Sequence, residues 1–117
     1  MNFNLYYYQA RLASVYDGDT CRLDIDLGLN IWRKNEKIRL ARINTPELRD
    51  ETLDEGRKAR DFLKVQLENK PLVIETIRDK KEKYGRYLAE IWCQDQAGTW
   101  INVNDLMVKE GYATYYS

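Results

Sequence analysis

Residues Glu36–Glu47, with the sequence EKIRLARINTPE, decide the fold because they predict both a strand and the position where it ends. Ile38 and Leu40 alternate with polar or small neighbours, which is the period-two pattern of a strand with one buried face. Pro46 has no backbone N–H to donate to a sheet, and it disfavours helical geometry in the residue before it. We therefore expect a strand over residues 36–43 that passes into a loop.

Four further strands and two helices are predicted around this strand. Asp17-Gly18 is typical of a two-residue type I′ hairpin turn, because both residues tolerate positive φ. Thr52–Glu55 fits a capping box at the start of a long helix, which Asn69-Lys70-Pro71 would end. The other strands are expected at residues 5–16, 21–27, 72–77 and 86–94, with polar connections at 28–35 and 78–83, residues 100–101 pairing back, and a short helix at 102–110.

These elements predict a mainly β, α+β fold. The expected architecture is a five-stranded Greek-key barrel of the OB type, with the long helix between strands three and four and the short helix near the C-terminus. A split α+β sheet is the main alternative. The length of 117 residues indicates a single domain, residues 1–117, and we expect it to be a monomer.

The composition excludes several classes of protein. Lys and Arg together number 19, as do Asp and Glu, so the net charge is zero and any affinity for phosphate must come from a local patch. No apolar run approaches the ~20 residues that span a bilayer, so we expect no membrane partner. No signal peptide is visible, which leaves a cytoplasmic protein and one secreted from a trimmed precursor both open.

The absence of histidine limits the available chemistry. Mechanisms based on imidazole are excluded. A zinc site is disfavoured, because Cys21 and Cys93 fall in alternating apolar patterns that indicate small buried residues. A catalyst of this composition would have to move protons with carboxylate, tyrosine, lysine or metal-bound water.

Oxygen ligands follow the ends of two predicted strands. Asp19 and Glu47 offer carboxylates, Asn44 an amide oxygen and Thr45 a main-chain carbonyl, and these are the ligands that a hard cation such as calcium prefers. A simpler interpretation exists for each segment. Residues 17–20 could be only a turn, and Glu47 only an exposed loop residue.

Two arginines on predicted strands could bind a phosphate. Arg39 and Arg86 carry planar, permanently charged groups that can clamp a phosphate in bidentate fashion. The alternative is that each pairs with a neighbouring acid, for which Glu36 or Glu90 could serve.

A basic and aromatic segment precedes Arg86. It contains Lys80, Lys81, Lys83 and Tyr84. A segment of this kind is commonly only a solvated loop, but it would also suit a polyanionic strand with one base stacked on Tyr84.

Five segments of the chain recur, in order and approximate spacing, in one known family. They are YDGDT at residues 16–20, RLARINTPEL at 39–48, EGRKARDFL at 55–63, KYGRYLAEI at 83–91 and NDLMVKEGYA at 104–113. With these segments the chain resembles the staphylococcal nuclease (thermonuclease) family from about residue 10 to residue 116. The resemblance implies calcium-dependent hydrolysis of DNA and RNA phosphodiesters at the 5′-oxygen side, leaving 3′-phosphates.

The resemblance also implies roles for individual residues. Asp19 and the carbonyl of Thr45 would bind calcium, and Glu47 would orient or deprotonate the attacking water. Arg39 and Arg86 would bind the phosphate and stabilise the charge of its five-coordinate transition state.

Substrate contacts and one departure complete the comparison with the family. Tyr84 would contact substrate beside the site, with Lys83 next to it, and Tyr116 is a further candidate. Members of the family generally carry aspartate where this chain has Asn44, so we expect an amide oxygen as ligand, weaker calcium binding and reduced activity. A non-catalytic OB-type module that binds nucleic acid is therefore the alternative function.

Overall fold

The protein is described by a computed structural model over residues 3–116. The chain forms eight strands, two helices and one 3-10 turn at Asp50–Thr52. The strands are β1 (Tyr7–Asp17), β2 (Thr20–Asp26), β3 (Trp32–Leu40), β4 (Ile43–Asn44), β5 (Leu72–Lys81), β6 (Tyr87–Gln94), β7 (Trp100–Asn102) and β8 (Thr114–Tyr115), and the helices are α1 (Leu53–Leu67) and α2 (Val103–Lys109).

Five of the strands close into a barrel. β1 pairs antiparallel with β2 and β5, while β2 pairs with β3 and β5 pairs with β6. β3 and β6 then pair in parallel, from Ile38 opposite Tyr87 to Leu40 opposite Ala89, and this pairing completes the circle. The predicted five-stranded OB-type barrel is confirmed, and the alternative of a split open sheet is wrong because the sheet closes.

The barrel interior is filled by the inward-facing residues of the predicted strands. Cys21 and Leu23 alternate with half-buried polar neighbours along β2, as predicted from the period-two pattern. Both predicted buried cysteines are buried, and burial raises the pKa of the Cys21 thiol to about 12. The fully buried large side chains include Leu23, Ile38, Leu40, Ile43, Leu63, Leu67, Ile74, Ile91 and Met107. Each stabilises the fold by about 1.5–3 kcal/mol relative to an exposed side chain.

The turn between β1 and β2 is not the predicted type I′ turn. Asp17 pairs with Thr20, and neither residue between them has positive φ. Gly18 is required for a different reason: a Cβ atom there would lie 2.7 Å from the Cβ of Ala59 and 2.8 Å from the side chain of Thr45. The turn is therefore packed directly against α1 and against the loop that follows β4.

Helix α1 packs against the barrel core. It buries Ala59, Leu63 and Leu67 at helical spacing, as predicted. The predicted capping box is wrong, because the Thr52 side chain does not cap the helix. Its hydroxyl donates instead to the carbonyl oxygen of Glu47 at 2.7 Å, which ties the loop after β4 to the start of α1.

Two predicted connections are partly strand. β3 already begins at Trp32, inside the connection predicted at residues 28–35. β5 runs to Lys81, through most of the loop predicted at residues 78–83. It does so through an irregularity at Arg78-Asp79, where φ is 54° and 55°. Local left-handed geometry lets this strand resume pairing after a break, and a sequence pattern of charged residues does not reveal it.

Helix α2 is joined to the barrel by a buried polar side chain. Asn104 is fully buried; its amide nitrogen donates to the carbonyl oxygens of Ala41 at 2.9 Å and Ala89 at 3.1 Å. Its amide oxygen accepts from the N–H of Ile91 at 3.0 Å. The side chain therefore holds α2 beside the seam between β3 and β6.

A short second sheet was not predicted from the sequence. β4 pairs antiparallel with β8, with Ile43 opposite Tyr115 and Asn44 opposite Thr114. This pairing brings the C-terminal residues beside the loop that carries the candidate ligands. Neither α1 nor α2, the helices of residues 3–116, has the length and apolar content to cross a bilayer.

Candidate active site

Asp19 is fixed at the end of the barrel by the turn between β1 and β2. The residue is only 8% exposed. Its Oδ2 accepts from the backbone N–H of Thr45 at 3.0 Å, and its Oδ1 accepts from the Thr20 hydroxyl at 3.2 Å. The carboxylate thus joins the β1–β2 turn to the loop after β4, which are the two segments predicted to carry metal ligands.

Asp17 is a second carboxylate beside Asp19. Its Oδ1 accepts from the backbone N–H of Asp19 at 3.0 Å. Burial, and secondarily the negative charge of Asp19, raise the pKa of Asp17 to about 6. Two partly desolvated carboxylates repel each other, so this pair is stabilised by any cation that approaches it.

Arg39 is held among main-chain oxygens where β3 bends towards β4. Its Nη1 donates to the carbonyl oxygens of Leu40 and Ile43 at 2.6 and 2.8 Å, and its Nη2 donates to Oδ1 of Asn44 at 2.6 Å. Nη2 also lies 3.3 Å from Oδ2 of Asp19. The guanidinium, 13% exposed as a side chain, is therefore part of the Asp19 cluster.

Glu36 and Glu90 were the alternative partners predicted for Arg39 and Arg86, but both acids pair with other arginines. Glu36 accepts from Arg33, and Glu90 accepts from Arg42 in bidentate fashion. Arg39 pairs with neither of them, but with the candidate site itself.

Arg86 reaches the same cluster from the turn before β6. Its Nη1 donates to the hydroxyl of Thr20 at 3.1 Å, and that hydroxyl in turn donates to Asp19. Its Nε and Nη2 each donate to the Glu82 carboxylate at 3.0 Å. Three of the five N–H groups of this guanidinium are thus engaged, and two Nη hydrogens remain for another anion.

Glu82 was missed by the sequence-based reasoning, and it organises the turn that carries Arg86. Besides the guanidinium, its Oε1 accepts from the backbone N–H groups of Tyr84 at 2.9 Å and Arg86 at 3.0 Å. The hydrogen bonds from Arg86 hold the pKa of Glu82 at about 2. The signal in the sequence is an acid four residues before an arginine with a glycine between them. In the structure that glycine, Gly85, has φ 78°.

Glu47 is not in contact with the cluster around Asp19. Its side chain is exposed and forms an ion pair with Arg49, whose Nε lies 2.7 Å from its Oε2. Its main chain is fixed more firmly, through the Thr52 hydroxyl and through close packing against Gly56. The structure therefore positions the backbone of the predicted base and leaves its carboxylate facing solvent.

The donor types at the cluster fit a hard cation such as calcium. Asp19 offers a carboxylate, Asn44 an amide oxygen and Thr45 a main-chain carbonyl, with Asp17 adjacent. Within residues 3–116 no three His, Cys, Asp or Glu side chains converge as a metal cluster, so a calcium ion would depend on the neutral oxygens as well. Arg39 now contacts the same atoms of Asp19 and Asn44 that a cation would take.

The predicted substrate residues surround the two arginines. The Tyr84 ring is 65% exposed, with the Arg86 guanidinium 5.4 Å and the Lys83 ammonium 5.0 Å from its centroid. The ring of Tyr116 lies 5.9 Å from the Arg39 guanidinium, because pairing between β4 and β8 brings the C-terminal residues to this end.

A closed five-stranded barrel with carboxylates and arginines gathered at one end defines a protein of the OB-fold class. The model of the family described as "Staphylococcal nuclease homologue" matches residues 37–117, and the chain belongs to that family.

Curated relatives agree with this assignment. A thermonuclease of Staphylococcus intermedius is 36% identical over 102 residues, covering 85% of this chain and 54% of the relative. A thermonuclease of Staphylococcus hyicus is 31% identical, covering 88% and 56%. An uncharacterized protein of Methanocaldococcus jannaschii is 33% identical, covering 94% and 60%. The chain thus spans little more than half the length of these relatives.

Proposed function

We propose that the chain is a calcium-dependent nuclease that hydrolyses phosphodiester bonds of DNA or RNA at the 5′-oxygen side, leaving 3′-phosphates. One observation carries the proposal. Two guanidinium groups far apart in sequence, Arg39 on β3 and Arg86 on the turn before β6, converge on the carboxylate of Asp19, directly in one case and through the Thr20 hydroxyl in the other. The bonds of Arg39 to main-chain carbonyls and of Arg86 to Glu82 serve the fold, but they do not require both guanidinium groups to meet at one carboxylate.

In this proposal the arginines bind the scissile phosphate. Three of the five N–H groups of Arg86 are engaged by Glu82 and Thr20, so two Nη hydrogens are available to donate to phosphate oxygens. Arg39 would contribute through Nη2, once that nitrogen exchanges Asn44 for the substrate. Both groups stabilise the negative charge that accumulates on phosphorus as water attacks.

Glu47 is the proposed base. Its pair with Arg49 is exposed on both sides, and such pairs contribute only about 0–1 kcal/mol, so the carboxylate is readily released to a water molecule. The proton leaves water for this carboxylate as the oxygen approaches phosphorus. The bond to the 5′-oxygen breaks on the opposite side, and that oxygen takes a proton from solvent to become the 5′-hydroxyl.

Calcium would be held by Asp19, Asn44 and the carbonyl of Thr45, with Asp17 as an adjacent carboxylate. When bound, it would neutralise phosphate charge and lower the pKa of a coordinated water.

A non-catalytic nucleic-acid-binding module is the second candidate. It is favoured by the hydrogen bond between Arg39 and Asn44, since a neutral ligand already engaged by an arginine is a poor ligand for calcium. This module would keep the arginines and Tyr84 for binding and lose only the metal.

The nuclease proposal is tested by cleavage of single-stranded DNA with calcium, with and without a chelator. We expect wild-type protein to cleave, the chelator to abolish cleavage, and Glu47→Gln to reduce it by about 100-fold or more because the base is lost. Glu51→Gln, at an exposed acid four residues further on, is the matched control and should cleave normally. Absence of cleavage by folded wild-type protein, or cleavage insensitive to the chelator, would favour the binding module.

A further inference from the structure

A groove with basic and aromatic walls runs beside the candidate active site, on the outer face of β1, β2 and β3. It has a volume of about 750 Å³, and its lining includes Tyr16, Arg22, Lys37, Arg49, Tyr84 and Arg86. Four of its lining residues are cationic and none is acidic. Arg49 and Arg86 are paired with Glu47 and Glu82, so the excess positive charge of the groove comes from Arg22 and Lys37.

Two of these cations lie directly opposite each other in the sheet. Arg22 of β2 is in register with Lys37 of β3. Like charges at such a cross-strand pair destabilise a sheet. Within residues 3–116 neither side chain forms an ion pair, and the Arg22 guanidinium reaches only the carbonyl oxygen of Asn35, at 3.1 Å. The pair costs stability in the free protein, and an anion between the two cations would offset that cost.

The pair formed by Arg22 and Lys37 lies beside the candidate active site along the same two strands. Thr20 and Arg39 form the neighbouring cross-strand pair, two residues along each strand from Arg22 and Lys37. Residues two apart on a strand lie on the same face, about 7 Å from each other. The positive charges therefore form a row that leads from the candidate phosphate clamp along the sheet surface.

Two exposed tyrosines border the same groove. Tyr16 is the last residue but one of β1 and is 70% exposed, and Tyr84 is on the turn before β6. Exposed aromatic rings beside a row of cations suit a single strand, whose bases can stack on the rings. In a duplex the bases are already stacked on one another, so they are not available to stack on the tyrosine rings.

We propose that this groove binds the single-stranded polynucleotide that flanks the scissile phosphate, with Arg22 and Lys37 on successive backbone phosphates and Tyr16 stacking a base. The location of the scissile phosphate in this inference rests on the proposed nuclease function. The groove extends substrate contact beyond the clamp, so affinity depends on strand length and on charges that take no part in the chemistry.

The experiment measures binding of a labelled single-stranded oligonucleotide of 12 nucleotides, as DNA and as RNA. A chelator is present to prevent metal-dependent cleavage. The double variant Arg22→Gln, Lys37→Gln should bind at least tenfold more weakly. Loss of two phosphate contacts should reduce the slope of log affinity against log salt by about 1.4. The matched control Arg57→Gln, Lys58→Gln removes the same charges from the exposed surface of α1 and should leave both quantities unchanged.

Tyr16→Ala separates stacking from charge. It should weaken binding several-fold without changing the salt slope, since it removes a base contact and no phosphate contact. The same strand annealed into a duplex should bind more weakly than the single strand and lose less affinity in Tyr16→Ala.

The inference is overturned if the Arg22, Lys37 double variant binds like its α1 control, or if the duplex binds as tightly as the single strand. Cleavage by the wild-type protein reports the nuclease proposal separately. Strand binding that depends on Arg22 and Lys37 without any cleavage would keep the groove and reject the nuclease. Normal cleavage by the wild-type protein, with strand binding unaffected by the changes at Arg22 and Lys37, would support the nuclease and reject the groove.

Discussion

At the scale of single residues, Arg39 and Arg86 differ in what they do for the folded chain. Arg39 donates to two main-chain carbonyls and to Asn44, so it holds the bend after β3 in addition to facing the candidate site. Arg86 has a carboxylate partner and retains free N–H groups. A change at Arg39 is therefore expected to affect folding as well as chemistry.

Arg39→Lys should lower the free energy of unfolding by about 2 kcal/mol and turnover by about 100-fold, because lysine keeps the charge but cannot reach four oxygens at once. Urea unfolding and DNA cleavage measure the two effects. Arg42→Lys, which breaks a bidentate pair with Glu90 away from the site, should lose stability and keep turnover. Normal turnover in a folded Arg39→Lys protein would remove this residue from the phosphate clamp.

Asn44→Asp should raise calcium affinity several-fold, because it restores a negative charge among the candidate ligands. The gain is readable as a lower dissociation constant in a calcium titration of the free protein. Asn30→Asp, which adds the same charge in the exposed connection between β2 and β3, is the control and should have no effect. Unchanged calcium binding in Asn44→Asp would mean that this side chain is not a ligand.

At the scale of elements, the turn from Glu82 to Arg86 is a small unit built around one carboxylate. Glu82 accepts two backbone N–H groups and the guanidinium of Arg86, and Tyr84 is on the same turn. The unit presents a phosphate-binding group and an exposed ring in fixed relation. One acid that was not predicted, Glu82, therefore positions two of the predicted site residues, Tyr84 and Arg86.

Glu82→Gln should reduce stability at neutral pH, because the amide cannot accept all of these bonds. The folded-state pKa of Glu82 is depressed to about 2, below its ordinary value of 4.5. Its contribution is therefore complete above about pH 4.5 and is lost as the pH falls towards 2. Thermal melts should show the difference between wild type and variant shrinking across that window. A difference that is constant from pH 7 to pH 2 would contradict the account.

The same scale shows what the sequence can and cannot predict. The period-two pattern at Cys21 and Leu23 and the helical spacing of Ala59 and Leu63 were sufficient for β2 and α1, because burial of alternate side chains dominates both. The β1–β2 turn was predicted with the wrong geometry, because Gly18 is selected by a long-range contact and not by φ. Contacts of that kind depend on residues far away in sequence, here Thr45 and Ala59.

At the scale of the whole molecule, barrel closure decides where the candidate site forms. The parallel pairing of β3 with β6 brings Arg39 and Arg86 to one end, although they are far apart in sequence. The number and order of the elements predicted an OB-type barrel, but composition and periodicity do not specify which two strands pair to close it. Asn104 bonds to main-chain groups on both sides of this seam, so it is where the closure can be tested.

Asn104→Leu should lower the free energy of unfolding by about 3 kcal/mol, because the Ala41 carbonyl and the Ile91 N–H lose their partner and the Ala89 carbonyl keeps only its bond from the N–H of Ala41. Asn102→Ala, which removes the N-cap of α2, is the comparison and should cost only about 1 kcal/mol. Chemical denaturation of both variants measures the difference. If both variants lost the same free energy of unfolding, Asn104 would contribute no more than the helix cap, and its bonds across the β3–β6 pairing would not be important for closure.

The central claim is that one end of this barrel holds a phosphate between Arg39 and Arg86 beside a cation on Asp19. A crystal structure with calcium and an uncleavable phosphorothioate dinucleotide tests it most directly. The account predicts calcium bound to Asp19 and the phosphorothioate within hydrogen-bonding distance of both guanidinium groups. A dinucleotide bound elsewhere, with Arg39 still bonded to Asn44 and no ion at Asp19, would contradict it.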